Sequence, residues 1–596
     1  MPDTDFFLGV ERSILGQPWR ARLSDNRSAL AISERLDLPE ILGRVLAGRN
    51  VSADEAEAFL NPTLRALMPA PEKLRDMNKG AERIAAAVMH GETIGIIGDY
   101  DVDGMTSCAV LSMFLNAAGT NPEIHIPHRV TEGYGPSRQA VETLQAKGSQ
   151  MIVTLDCGVM AHDSMDHAAE LGIDTVIVDH HQVSEVLPQA MAIINPNRND
   201  DLSGVGYLCA AGVTMILVAA TNRVLREAGW WSDERPAPDI LQWLDLVALG
   251  TVCDVVPLMG LNRAYVTQGL KVMSSRGNTG LTALADAARL NRRPDVYALG
   301  FLLGPRLNAA GRIGSAMLGL ELLTATDRGK AMNIAQQLEK LNRERQEIEL
   351  QIVASATAQA EAALGKASNL PILVVSGENW HAGVLGLVAS RLKERFDLPC
   401  FALGHTPGDE IASGSGRSIP GVDLGSAVQG AVAEGVVIKG GGHAMAAGLT
   451  LEIGQIGALR AYLENHLADD VKTAGELKAL EIDGAVSASG ASIALIETLE
   501  RAGPYGSGNP APVFALPAHR VAYADAAGAD HVRCTLQAAD GARINAIAFR
   551  ALHTELGELL LTERGKPLHI AGRLSVNDWG GSRKPQLMIA DAAFVP

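Results

Sequence analysis

The sequence predicts an α/β protein of several domains: a parallel-sheet domain, a second α/β domain joined to it by one long helix, and a C-terminal β-barrel. Three observations predict it. Short unbroken apolar runs alternate with helix-like stretches between about 80 and 260, the pattern of βαβ units whose sheet is covered on both faces. The stretch KAMNIAQQLEKLNRERQEIELQIVASATAQAEAAL, within 329–366, holds no proline and no glycine and reads as a single bridging helix. The last portion carries short alternating runs, HVRCTLQ, RINAIAF and LHIAGRLSV, as a small barrel requires. The expected divisions are an N-terminal arm (1–70), a first α/β domain (71–328), the connecting helix (329–366), a second α/β domain (367–455) and the barrel domain (456–596).

The elements follow in chain order. In the arm, short helical pieces such as SADEAEAFLN are punctuated by Pro62, Pro69 and Pro71, and Ser52 with Glu55 fits a capping box. NKGAERIAAAVMHG is a helix leading into the strand TIGIIG (93–98). SCAVLSMFLNAAG is the next helix, closed by Gly119, and EIHIP the next strand. The strand Met151–Leu155, the helix HDSMDHAAELG and the strand Asp174–Val178 complete the repeat. ILQWLDLVALG is again helical, and PILVVSG at 371 opens the second α/β region.

Composition bounds the function. The chain has 596 residues, 47% of them hydrophobic, which excludes a disordered protein. It carries 51 Lys+Arg against 68 Asp+Glu, a net charge of −17. That balance argues against a protein that coats nucleic acid non-specifically and leaves room only for a local basic groove. The six cysteines form no C-x-x-C pair and read as buried thiols in a reducing compartment. The start, MPDTDFFLGVERS, lacks a signal-peptide pattern, and the longest apolar run, near Val213–Ala220, falls short of the ~20 residues of a membrane span. The expectation is a soluble, cytoplasmic protein without membrane association.

Three strands share one feature: an aspartate follows each at once. TIGIIG runs into Asp99, Asp101 and Asp103 of DYDVDG, MIVTL into Asp156, and DTVIV into Asp179-His180-His181. An open parallel sheet collects such residues outside the carboxyl ends of its strands. If the strand end stays extended, Asp99, Asp101 and Asp103 point to one side. Nothing basic in DYDVDG neutralises them, and a divalent cation would. Hard oxygens with one or two imidazoles suit Mn²⁺ or Mg²⁺ better than a thiolate-bound structural zinc. Asp254, in TVCDVVP after a helical stretch, could close the site from the side.

DYDVDG, LDCG, DHH and GTVCDVVPL, in this order, resemble the four motifs of the DHH phosphoesterase superfamily. Cys253 sits where alanine is usual, a small departure. NWHAGVLGLVASRL, SGSGRSIPGVDL and GGGHAMAAGL are similar to that superfamily's second, DHHA1 domain, and GPYGSGNPAPVF to the C-terminal region of its bacterial single-strand-specific exonucleases. The resemblance implies two Mn²⁺ or Mg²⁺ ions. Asp156 would bridge them. Asp101 would complete one site, with Asp99 either a further ligand or a neighbour of one. Asp103, His180 and Asp254 would complete the other. His181 would contact the scissile phosphate or assist the leaving oxygen, and Asp179 would orient a histidine.

The same resemblance places the terminal nucleotide, its 5′-phosphate or nearby phosphates against Arg129, Asn308, Arg312, Ser415, Arg417, Gly441, Gly442 and His443. Forked guanidiniums and close glycine backbone suit such an anion. HAMAAG after the glycines reads as a helix start, which also favours an anion. The barrel resembles an OB-fold, a common single-strand binder. The implied activity is 5′-to-3′ degradation of single-stranded DNA to mononucleotides in recombination and repair. The implied working form is a monomer, with single-strand-binding protein and a RecQ-type helicase as partners. Relatives acting on dinucleotides or other small substrates, and scaffolds that have lost their ligands, are the competing readings. The intact acidic and histidine positions disfavour the second.

Overall fold

A computed structural model of the protein describes residues 6–129, 131–367, 369–578 and 582–595. Two compact units make it up: Met1–Leu67, Pro257–Ala264 and Lys478–Pro596 in one, Met68–Val256 and Tyr265–Leu477 in the other. Among the described residues no helix is long and apolar enough to cross a membrane.

The second unit holds the aspartate-terminated strands. Glu123–His125, Ile94–Gly98, Met151–Leu155, Asp174–Val178 and Ala192–Ile194 lie side by side in that order, and every pairing is parallel. Numbered by sequence, the strand order is 2-1-3-4-5, so the direction of winding reverses between Ile94–Gly98 and Met151–Leu155. Crevices for ligands open at such a reversal. Ile94–Gly98 and Met151–Leu155 are buried along their whole length, which explains why they read as continuous apolar runs rather than alternating ones. The helices Val102–Ala117 and Leu244–Cys253 are nearly fully buried, and Ala210–Glu227 is buried until its last turn, where Arg223, Arg226 and Glu227 reach solvent.

One carboxylate inside this unit serves no visible pairing. Asp245, 1% exposed at the start of Leu244–Cys253, accepts from the Leu246 N–H at 2.8 Å. Burial pushes its carboxyl up to about 7. A carboxyl whose folded pKa exceeds its unfolded one holds its proton longer when folded, so stability is lost as pH rises from about 4 toward 7. Asp245→Asn removes that loss. The variant's unfolding free energy should equal the parent's at pH 4 and exceed it at pH 8, by a margin on the order of 2–4 kcal/mol. An equal difference at both pH values would refute this.

The long helix is observed as Arg328–Leu364, capped by Asp327, whose carboxylate accepts from the Lys330 N–H at 2.6 Å. Near its middle, buried Arg345 donates to Glu349 and Asn342, and Arg391 of the helix Leu385–Phe396 donates to the same Glu349. The second sheet runs in the order Lys439–His443, Ala446–Glu452, Ile411–Arg417, Cys400–His405, Leu373–Glu378. Only its last pair is parallel. The helix Ile456–Leu477 buries Leu459, Leu463 and Leu467 in this sheet's core. The barrel domain expected from residue 456 therefore begins after that helix. Its amphipathic face belongs to the preceding sheet, a matter of packing that helical periodicity alone does not assign.

The first unit contains the barrel. Phe514–Ala527, His531–Gln537, Arg543–Ala548, Lys584–Phe594 and Pro567–Asn577 pair in sequence, and Pro567–Asn577 pairs back to Phe514–Ala527. Closure leaves these five strands no open edge. The N-terminal arm is part of the same body rather than a free arm. Ile32, Leu42, Val45 and Leu46 share one core with Phe514, Leu536 and Ile570. Trp19–Ala21 pairs in parallel with Leu480–Ile482, and the buried Trp19 indole donates to Asp591 at 3.0 Å. The capping box forms: Ser52 N–H to Glu55 at 3.1 Å and Glu55 N–H to Ser52 at 3.3 Å. Of the barrel's few aromatics, Phe514 is core, Tyr523, Phe549 and Phe594 are exposed, and Trp579 lies outside the described residues.

Candidate active site

The strand Ile94–Gly98 does not stay extended through DYDVDG. The helix Val102–Ala117 begins almost at once, with Asp101 as its cap, accepting from Asp103 N–H at 2.9 Å and Gly104 N–H at 3.1 Å. The turn is tight: a Cβ at Gly104 would come within 2.5 Å of the Asp99 carbonyl oxygen. The alternation expected of an extended strand is thus replaced by a strand end, a cap and a first helical turn. Asp103 turns toward the helix Ala210–Glu227 and accepts from the Ala210 and Ala211 N–H groups at 2.7 and 3.0 Å.

The other donors come from the neighbouring strand ends. Asp156 follows Met151–Leu155 with φ of 62°, a left-handed conformation that aspartate tolerates better than most residues. Asp254 caps the C-terminus of Leu244–Cys253. The His180 Nε2 lies 3.3 Å from Asp156, 3.6 Å from Asp254 and 3.9 Å from Asp103. Three sets of donor atoms each fall within 4.8 Å of one another: Asp99/Asp101/Asp156, Asp103/His180/Asp254 and Asp156/His180/His181. One oxygen each of Asp99, Asp156 and Asp254, and the His180 Nε2, are buried without a hydrogen-bond partner. Buried polar atoms are normally satisfied, so orphans spread over donor sets that share Asp156 and His180 fit bound cations.

The electrostatics agree. Burial, then repulsion from Asp103, Asp101 and Asp99, holds the Asp156 carboxyl well above its usual range. Burial and Asp101 push Asp103 to about 6. Burial, then Asp103 and Asp101, raise Asp254. Burial drives His180 down to about 4, leaving a neutral imidazole with a free lone pair.

Asp179 plays a different part. Its Oδ1 accepts from His180 N–H (2.8 Å), His181 N–H (3.1 Å) and the His181 Nδ1 (2.7 Å), and its Oδ2 from Val159 N–H (3.1 Å). These bonds outweigh its burial and keep it below the usual carboxylate range. Fully engaged, it is built to hold His181. Tyr134, which the motifs did not single out, helps: its hydroxyl donates to the Asp156 carbonyl at 2.9 Å and lies 3.1 Å from the His181 Nδ1, its ring edge-on to the imidazole. An aromatic between two glycines shortly after Arg129 was the available signal.

The arginines also gather. Arg129 lies over the Tyr100 ring at 4.8 Å. Arg312, in the last turn of Gly304–Ile313, donates to the Gly383 carbonyl at 2.8 Å. Arg417, at the end of Ile411–Arg417, donates to the neighbouring Gly416 carbonyl at 2.8 Å, and a Cβ at Gly386 would stand 2.7 Å from its guanidinium. Burial, then repulsion from Arg129 and Arg417, lowers Arg312 to about 9. Among the described residues none of the three has a carboxylate partner. Mutually repelling guanidiniums with no ion-paired carboxylate form a receptor for an anion.

Asn308 sits one turn before Arg312 on the same helix, and Ser415 precedes Arg417 by two on its strand. His443 stacks parallel to His181 at 6.2 Å. GGGHAMAAGL is not a helix start, as expected from sequence, but two antiparallel strands, Lys439–His443 and Ala446–Glu452. A Cβ at Gly442 (φ 150°) would meet the Ala446 carbonyl at 2.3 Å, so the turn is too tight for another residue. Gly441 and Gly442 thus bring strand backbone, not a helix terminus, to a cavity of about 860 Å³ that Tyr134, Met160, His181 and His443 also line.

Three family models match the chain: the DHH family N-terminal domain over residues 93–251, the DHHA1 domain over 369–469, and the RecJ OB domain over 482–591. The single-stranded-DNA-specific exonuclease RecJ of Salmonella typhimurium is 36% identical over 570 residues, covering 93% of this chain and 96% of that protein. Its counterpart in Escherichia coli is 35% identical over 569 residues, with the same coverage. The crystal structure of RecJ in complex with Mn²⁺ from Thermus thermophilus superposes with a TM-score of 0.78 at 26% identity, over 96% of this chain and 79% of that one.

Proposed function

The chain belongs to the RecJ family of single-stranded-DNA-specific exonucleases, and on that premise we propose that it degrades single-stranded DNA from the 5′ end, releasing 5′-mononucleotides, in recombination and repair. The observation that carries the proposal is the pairing of two opposite sites in one unit: orphaned acidic and imidazole donors, and a cluster of guanidiniums with no ion-paired carboxylate among the described residues.

Asp99, Asp101 and Asp156 would hold one Mn²⁺ or Mg²⁺, and Asp103, His180 and Asp254 the other, with Asp156 shared. Two such cations supply an acidified water and charge for the phosphoryl oxygens. The protein's own groups do the positioning. Arg129, Arg312 and Arg417, with Ser415 and Asn308, bind the terminal 5′-phosphate and so set the scissile phosphodiester at a fixed distance from the end. His181, its Nδ1 committed to Asp179, presents Nε2 to the reacting phosphate and donates a proton toward the leaving O3′. Burial lowers His181, but the hydrogen bond and charge of Asp179 prevail and raise it above its ordinary range, which favours the protonated form that such a donation needs. Breaking the P–O3′ bond leaves a new 5′-phosphate on the shortened strand, the same group the arginines bound before.

On this reading the working form is a cytoplasmic monomer, with single-strand-binding protein and a RecQ-type helicase as partners. Digestion of 5′-labelled and 3′-labelled single strands with Mn²⁺, beside a duplex and a dinucleotide, tests the proposal. Immediate release of 5′ label as mononucleotide, with 3′ label lagging and duplex resistant, is expected. Early release of 3′ label would overturn the polarity, and preference for the dinucleotide would favour a small-substrate relative.

A further inference from the structure

Apart from the donors and the arginine cluster, the unit with the parallel sheet exposes one pair of aromatic rings. Tyr297 and Phe301 are 56% and 68% exposed and stack on each other, centroids 5.1 Å apart and planes 23° from parallel. Among the described aromatics of that unit only Tyr134, beside His181, is comparably open. The pair rides on a wide π-helical turn, Ala298–Leu303, whose opposite face buries Ala298, Leu299 and Leu303. Such turns recur at functional sites. This one is tied to the active site at both ends. The Leu299 carbonyl accepts from the thiol of Cys253, the residue before Asp254, at 3.6 Å. The turn then continues directly into Gly304–Ile313, which carries Asn308 and Arg312.

Positive charge lies beside the rings. The Arg292 guanidinium is 6.0 Å from the Tyr297 ring, and its pairing with Asp295 is exposed and hence weak. Arg293 is exposed and makes no hydrogen bond or ion pair among the described residues. In a chain of net charge −17, open ring faces beside guanidiniums select a ligand that is anionic and offers flat apolar faces. A single strand does so, whereas a duplex keeps its base faces stacked inside.

We propose that Tyr297 and Phe301 form a base-stacking platform for the bound strand on the 3′ side of the cleavage point, with Arg292 and Arg293 taking its phosphates. The inference rests on the reading of this enzyme as a single-strand exonuclease. Roughly 16 Å of helix separates Phe301 from Arg312, the length of about five stacked nucleotides, fewer if the strand is extended. The platform thus serves strands longer than a few nucleotides and leaves shorter ones untouched.

Steady-state digestion with Mn²⁺ tests it, comparing the full-length parent with Tyr297→Leu/Phe301→Leu, which keeps apolar bulk but removes the ring faces. For 5′-phosphorylated 12-mers, KM should rise about tenfold or more with kcat within about twofold, and for trinucleotides neither should change. In the parent, one abasic site about three to five nucleotides from the 5′ end should reproduce the rise, and the variant should not respond to it. Tyr297→Phe/Phe301→Tyr should behave as the parent. Unchanged KM on 12-mers, or an equal rise on trinucleotides, overturns the platform while the exonuclease reading stands. A parent that leaves single strands intact overturns that reading instead.

Discussion

Asp156→Ala should reduce strand degradation by about 10³-fold or more, since the ligand we propose the two cations share would supply several kcal/mol of transition-state stabilisation. The same change should raise the stability of the metal-free protein. Asp156 is 3% exposed, one of its oxygens has no partner, and Asp103, Asp101, Asp99 and Asp254 all repel its charge. Its carboxyl stands well above the ordinary 3.8 when folded. Metal-free stability therefore falls as pH rises above about 4, and the variant's advantage should be larger at pH 8 than at pH 5. Added Mn²⁺ should reverse the ranking, raising the melting temperature of the parent but not of the variant. Activity within about tenfold of the parent, or a metal-free variant less stable than the parent at pH 8, would sink the metal assignment.

Arg417→Ala should raise KM for 5′-phosphorylated strands about 10- to 100-fold, the worth of a charge-assisted hydrogen bond. It should also erase most of the preference for a 5′-phosphate over a 5′-hydroxyl. The cause is local. Arg417 is held below the usual guanidinium range by burial and by Arg129, and a bound phosphate relieves both costs. Arg417→Lys should recover little, because a point charge does not replace a planar fork. If the variant still distinguishes the two ends as the parent does, the arginines serve another purpose.

Much of this chemistry is legible in the chain itself. Strand runs ending in Asp99, Asp156 and Asp179 announce a parallel sheet with an acidic crevice, because parallel topology brings carboxyl ends together whatever separates them in sequence. The net charge of −17 argues against a protein that coats a strand non-specifically, and three arginines without a carboxylate partner among the described residues fit that economy of positive charge. Local signals were sound wherever local forces decide: the capping box at Ser52 and Glu55, and the unbroken helix Arg328–Leu364.

Tertiary structure decided the rest. Asp103 is drawn to the amides of Ala210 and Ala211, more than a hundred residues away, so no local alternation rule could place it. GGGHAMAAGL became a hairpin because Ile411–Arg417 offers Ala446–Glu452 a strand to pair with, and such pairing overrides weak helical propensity. The arm's Ile32 and Leu42 complete a core with Phe514, at the other end of the chain. Residue types and their order determined the chemistry available to this protein. Which donor stays unpaired, which aspartate holds a histidine and which rings stay open are set by long-range packing, since burial and the lack of a partner exist only in the folded molecule.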